Sequence, residues 1–259
     1  MIGEIKMSEP KLRVENINKK YGKTIILEDI SFEINPGEFV SILGSSGCGK
    51  TTLLKIIAGI ETSDSGKILK DGEDITLSLP SNRGTGLVFQ NYALFPNMNV
   101  RKNVSFALEC RHLPKDEVAK RVADALRMVG MIDYASKKPG HLSGGQQQRV
   151  AIARTLAINA DIMLFDEPMA ALDAEIRMSL RNEIKRIQKE TNKTMIYVTH
   201  DQEEAFSLSD RIIVLNDSQI AQFDTPKNIF CSPADEYVKR FVVDQLKDRA
   251  AVMLKETKQ

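Results

Sequence analysis

The stretch from Phe39 to Gly59, FVSILGSSGCGKTTLLKIIAG, constrains this chain more than any other. Phe39, Val40, Ile42 and Leu43 form a short apolar run suited to a strand buried on both faces of a parallel sheet. Leu53, Leu54, Ile56 and Ile57 then recur at helical spacing, and Gly59 closes the helix. Between strand and helix, Gly44-Ser45-Ser46-Gly47-Cys48-Gly49-Lys50-Thr51 satisfies G-x-x-x-x-G-K-[ST]. A polyphosphate carries several negative charges, and the N-H groups at a helix N-terminus are donors already aimed at an anion. Gly44, Gly47 and Gly49 lack the Cβ that would keep the backbone away from phosphate oxygens, so the loop can form an anion nest. In that reading Lys50 reaches the β- and γ-phosphates and the Thr51 hydroxyl ligates magnesium.

The chain has 259 residues, enough for one large α/β domain or two small ones. Its 36 Lys and Arg against 35 Asp and Glu give a formal charge of +1, so composition offers no electrostatic footprint for nucleic acid. Cys48, Cys110 and Cys231 have neither metal-ligand nor redox spacing, and an odd count suits a reducing compartment. The N-terminal stretch MIGEIKMSEPKLRV lacks a signal peptide's apolar core, and nowhere do 18 uncharged apolar residues run together. Membrane association is therefore expected to go through a partner.

Leu12 and Val14 alternate with polar residues as in an edge strand, and Ile25 to Ile34 continues in short β-like pieces, predicting a small antiparallel layer. Tyr21 sits in its turn with a ring able to stack on a base. SDSGKILKDGEDI predicts a hairpin turning at Asp71-Gly72. Gly86 to Phe89 reads as a buried strand that delivers Gln90, whose amide can ligate a metal or hold a water. From Val100 to Ala157 the pattern is helical, with Val118, Val122, Ala125, Leu126 and Val129 in one apolar stripe. Leu142-Ser143-Gly144-Gly145-Gln146-Gln147-Gln148-Arg149 follows, Ser143 reading as an N-cap and the Ser-Gly-Gly amides as a second anion site. Ile162 to Phe165 predicts a third buried strand ending in Asp166 and Glu167, two acids on opposite sides of an extended chain. Asp166 would hold magnesium and Glu167 would polarise an attacking water. A fourth strand, Met195 to Val198, ends near His200, placed for a γ-phosphate contact. Two last strands, two short helices and a charged tail from Asp244 to Gln259 complete the chain.

Five elements in this order resemble the ATP-binding subunit of an ABC transporter over roughly Leu12 to Val243: GSSGCGKTT, Gln90 in VFQNYALFP, LSGGQQQR, IMLFDEP and VTHDQEEA. The resemblance implies an α/β fold of the P-loop NTPase class, with a RecA-like, mostly parallel core, an N-terminal antiparallel β layer and a helical subdomain. The ATP-binding domain would span 10–243, with the helical part at about 91–158. It implies ATP and Mg2+ as ligands. Tyr21, residues Gly44 to Thr51, and Thr52 would bind nucleotide; Thr51, Gln90 and Asp166 would hold the metal. Glu167, His200 and Gln90 would serve catalysis. Ser143, Gly144, Gly145 and Gln146 would meet the nucleotide held by the opposite chain of a head-to-tail dimer. Within the family, DSGKILKDGEDITLSLPSNRGTGLVFQNYALFPNMNVRKNV and HDQEEAFSLSDRIIVLNDSQIAQFDTP look like importers for polyamines, ferric iron, phosphonates, sugars or betaines. That implies transmembrane permease subunits, indirectly a solute-binding protein, and a peripheral place on the cytoplasmic face of the membrane, with no nucleic acid. The alternatives are an exporter ATPase or a soluble ABC ATPase outside transport. Two departures stand out: Ala170 occupies a position where a serine is usual, and residues 244–259 form a tail with no regulatory β domain expected.

Overall fold

The computed structural model describes residues 9–256, with side chains described to residue 251. Among these, the residues before Gly84 and after Tyr197 form one compact unit and Gly84–Tyr197 a second.

The first unit opens with β1 (Leu12–Tyr21) and β2 (Thr24–Ile34), antiparallel partners with Leu12 opposite Ile34 and Val14 opposite Phe32. β3 (Phe39–Gly44) is buried throughout and runs into α1 (Lys50–Ala58) through the glycine-rich loop. Burying Phe39, Ile42 and Leu43 stabilises this junction by roughly 1.5–3 kcal/mol each. β4 (Ser65–Lys70) and β5 (Glu73–Asp74) turn at Asp71 and Gly72, both left-handed at φ 50 and 79, as a two-residue hairpin of mirror-image type requires. The sheet order is β2-β1-β4-β5. β1 is thus an interior strand, where its alternating pattern suggested an edge. Alternation reports one solvated face, and an antiparallel strand keeps such a face even with neighbours on both sides.

The second unit begins with β6 (Thr85–Val88), followed by α2 (Val100–Cys110), α3 (Lys115–Met128) and α4 (Gly144–Ala157). Val118, Val122, Ala125, Leu126 and Val129 are buried along α3 and just past it. β7 (Ile162–Asp166) is parallel to β6, pairing Thr85 with Ile162 and Val88 with Phe165. α4 packs close on β6, since a Cβ on Gly86 would lie 3.0 Å from Thr155 Cβ. α5 (Ala174–Thr191) buries Leu180, Ile184 and Ile187. β8 (Thr194–Thr199), buried along its length, then carries the chain back to the first unit.

There α6 (Gln202–Leu208) precedes β9 (Arg211–Asn216) and β10 (Gln219–Asp224). β9 runs parallel to β3 and antiparallel to β10. Two short helices, α7 (Pro226–Cys231) and α8 (Glu236–Val238), lead through a π turn at Lys239–Asp244 into α9 (Gln245–Glu256). Ile229, Val238 and Val242 join Leu43, Ala205, Ile212 and Val214 in one apolar cluster. The charged tail is anchored: Gln202 Nε2 donates to Phe241 O at 2.9 Å and to Gln245 Oε1 at 2.7 Å, and Arg249 pairs with Asp201 at 3.3 Å. Among the described residues no helix is long and apolar enough to cross a membrane.

Candidate functional site

In the first unit the loop between β3 and α1 has the build of an anion cradle. Gly47 and Gly49 are left-handed at φ 86 and 100. A Cβ on Gly49 would also lie 2.6 Å from Ile26 O, so both conformation and space demand glycine there. α1 starts without a side-chain cap and without an acidic residue in its first turn, so no carboxylate of its own offsets the positive end of the helix. Lys50 is buried, and its Nζ donates to Gly44 O and Ser45 O at 2.8 Å each, which holds the ammonium inside the loop. Thr51 and Thr52 follow, half-buried, in the first turn of α1, while Ser45 and Ser46 are exposed at the mouth.

Tyr21 is half-exposed, and its hydroxyl faces Glu61 and Thr52, so the structure brings it beside the loop's helix. Lys19 Nζ lies 5.0 Å from the Tyr21 ring centre while donating to Glu61 Oε1 and Thr62 O at 2.7 Å each. Burial pushes the Tyr21 hydroxyl pKa up, and the hydrogen bond with Glu61 adds to it. His200 is exposed just past β8, between residues that are fixed: Thr199 Oγ1 donates to Glu204 Oε2 at 2.8 Å and Asp201 caps α6.

In the second unit β7 delivers Asp166, 8 % exposed, at its last position. Glu167 does not continue the extended chain: its φ is 43, a left-handed value that ends the strand and starts the turn in which Ala170 N donates to Glu167 O at 3.3 Å. Strand alternation therefore does not relate the two acids, because the chain leaves the extended conformation between them. A non-glycine residue held this way is the kind of local strain that clusters at functional sites. The turn is braced further on, where Arg177 Nη2 donates to Leu172 O at 2.9 Å and Asp173 caps α5.

Ser143 caps α4 in a reciprocal box: Gln146 N donates to Ser143 Oγ at 3.3 Å and Ser143 N to Gln146 Oε1 at 3.0 Å. The Gln146 side chain thus serves the cap. Gln90 is exposed two residues beyond β6. The loop after it is pinned by Asn103, fully buried, which accepts from Phe95 N at 2.8 Å and donates to Phe95 O and Met98 O at 3.1 Å. Asn103 and Arg177 went unnoticed in the sequence because their partners are backbone atoms, which leave no pattern of residue types. Tyr237 escaped for a similar reason: it faces Ser45 of the phosphate loop from a helix almost 200 positions away.

The donors Thr51 hydroxyl, Gln90 amide oxygen and Asp166 carboxylate are all oxygens, the ligand type a hard divalent cation takes. Among the described residues no cluster of His, Cys, Asp or Glu makes a metal cage of its own. Each of these oxygens is of the type that suits Mg2+ bound together with phosphate oxygens and water.

Residues 27–170 match the family model described as ABC transporter. The chain is 48% identical over 231 residues to the spermidine/putrescine import ATP-binding protein PotA of Oleidesulfovibrio alaskensis, covering 89% of this chain and 62% of that protein. The PotA protein of Haemophilus influenzae is 47% identical, with 91% and 63% covered. That of Bacillus thuringiensis strain Al Hakam is 47% identical, with 89% and 71% covered. The chain thus spans 62% and 63% of the length of the first two relatives. Among solved structures, cbiO1 of Clostridium perfringens, part of the ABC transporter complex cbiONQ, superposes with a TM-score of 0.81 at 33% identity, covering 95% of this chain and 99% of that one. The ATP-binding cassette MJ0796, a dimer in a post-hydrolysis state with ADP and Pi, gives 0.72 at 35% identity, with 83% and 98% covered.

Proposed function

The chain belongs to the ABC transporter family, and from that premise we propose that it is the ATP-hydrolysing subunit of a binding-protein-dependent importer. The observation that carries the proposal is the Lys50 ammonium enclosed in a glycine-shaped loop at the start of α1, a built receptor for a polyphosphate. Lys50 and the loop amides bind and orient ATP, and Tyr21 stacks on the adenine. Thr51, Gln90 and Asp166 would hold Mg2+, which would supply positive charge beside the phosphates. Glu167 accepts the proton of the attacking water, and His200 donates to the γ-phosphate.

Catalysis in this reading belongs to a two-fold dimer. Each chain offers two anion sites, the phosphate loop and the Ser143-Gly144-Gly145 turn, and an isologous interface sets each turn on the partner's ATP. The γ-phosphate then gains charge-assisted hydrogen bonds from the second chain, and its release loosens the pair. Permease subunits dock at the Gln90 loop. A groove of about 930 Å³, lined by the charged Arg101, Lys102 and Glu109 as well as by Met98, Leu113 and Val118, directly follows that loop in sequence and supports this assignment. The relatives' role in spermidine/putrescine import points to a polyamine as cargo, recognised by a separate solute-binding protein. ATPase activity per chain is expected to rise with protein concentration until dimers saturate. Constant specific activity across dilutions where light scattering sees only monomer would overturn the composite site.

A further inference from the structure

The geometry points to Arg154 as a positioning residue that ties the loop after Gln90 to the Ser143-Gly144-Gly145 turn, the signature turn of the ATP-binding domain, an inference that rests on the function proposed above. Two consecutive non-glycine residues of that loop, Tyr92 at φ 62 and Ala93 at φ 46, are left-handed. Their Cβ atoms crowd the backbone there, and the conformation persists only where the surroundings hold it. One guanidinium does so: Arg154 Nη1 donates to Ala93 O at 2.7 Å and Nη2 to Tyr92 O at 3.0 Å. A planar fork can grip two adjacent carbonyls at once, which an ammonium on a shorter stem does less well. Burial lowers the Arg154 pKa, the mark of a charge drawn out of water.

The same helix meets the loop a second time. A Cβ on Gly144 would lie 3.4 Å from the Tyr92 hydroxyl oxygen. From 144 to 154 the helix covers about 15 Å at 1.5 Å per residue. α4 is therefore gripped near its end through Arg154 and approached at its start by the Tyr92 hydroxyl. A displacement of the loop reaches the signature turn along this path without passing through the phosphate loop. The loop that faces the membrane subunits would in this way set the turn that faces the partner's ATP.

Two measurements on the full chain test this. Hydrogen exchange without nucleotide reads the grip, and ATP-driven dimerisation by light scattering reads the relay. Arg154→Gln is expected to speed exchange at amides 91–95 at least tenfold, as the loss of two charge-assisted hydrogen bonds should, leaving amides 44–52 as in wild type. It should weaken dimerisation about tenfold by the same reasoning. Adding Ala93→Gly should restore part of both, because glycine takes the left-handed conformation without a Cβ penalty; a mere packing defect at Arg154 would not be mended so. Tyr92→Phe should leave exchange at 91–95 unchanged and weaken dimerisation severalfold. Wild-type exchange in Arg154→Gln overturns the grip. Absence of rescue, or full dimerisation in Tyr92→Phe, overturns the relay, and Tyr92→Phe decides alone if Arg154→Gln does not fold. A wild-type chain that never dimerises with ATP would refute the proposed function, while the exchange measurement would still judge the grip.

Discussion

A Cβ built on Gly145 would lie 2.7 Å from Cγ2 of Ile176, so the second signature glycine and the first turn of α5 touch with no room for a methyl group. Gly145→Ala must push the turn or the helix aside, at a cost of about 1–3 kcal/mol. A lowered melting temperature and weaker ATP-driven dimerisation are expected. Ile176→Ala in the same chain makes the missing space and should recover dimerisation. Gly145→Ala behaving as wild type would show that the turn yields freely.

Glu167→Gln keeps the shape and the left-handed backbone of Glu167 and removes only the charge. ATP binding should persist while turnover falls by about 10²–10⁴, the usual contribution of a general base. Dimers formed with ATP should then outlast those of wild type on gel filtration. Turnover within a few-fold of wild type would remove Glu167 from the role assigned to it.

Three thiols allow a chemical readout of the phosphate loop. Cys110 and Cys231 are exposed, whereas Cys48 is half-buried with its sulfur turned back toward Gly44, 2.6 Å from where a Cβ there would sit. Maleimide should label Cys110 and Cys231 first and Cys48 slowly, and MgATP should slow Cys48 alone. Peptide mapping checks this, and equal Cys48 labelling with and without MgATP would contradict it.

Lys19 and Glu61 give the first unit an acid-sensitive link. The hydrogen bond from Lys19 holds the Glu61 carboxyl below its ordinary range, and the same bond raises Lys19. Glu61 stabilises the fold fully above the ordinary carboxylate pKa of about 4.3 and loses that contribution as pH falls through its lowered value. Lys19, raised, contributes fully below its ordinary pKa and loses that contribution as pH rises through its shifted value. Glu61→Gln should cost about 1 kcal/mol at neutral pH, discounted for the partial exposure of Glu61. It should also flatten the fall in melting temperature below pH 5. Parallel curves for mutant and wild type would show that the pair contributes nothing.

Features that depend on residue type at short spacing were readable before the structure. The phosphate loop, the Asp71-Gly72 turn, the Ser143 cap and the apolar stripe of α3 all arise from local chemistry within a few positions. What escaped depends on long-range backbone contacts or on an unusual dihedral. β1 reads as an edge because alternation reports one wet face and is silent on the number of neighbours. Glu167 reads as extended because nothing in IMLFDEP marks a left-handed glutamate. Arg154 looks like one more helix arginine until its two carbonyl partners, some sixty positions earlier, are seen.

The anchoring of the tail beside His200 decides where this domain can be cut and grafted. A version ended at Val243 keeps every nucleotide motif yet discards Gln245 and Arg249. The buried Gln202 amide nitrogen would then have one acceptor instead of two, and Asp201, next to the histidine, would lose its pairing with Arg249. A boundary beyond Ala251 retains both. For fusion or transplantation, the usable edge lies past the last recognisable motif, at the point where the helix stops holding the residues around His200 in register.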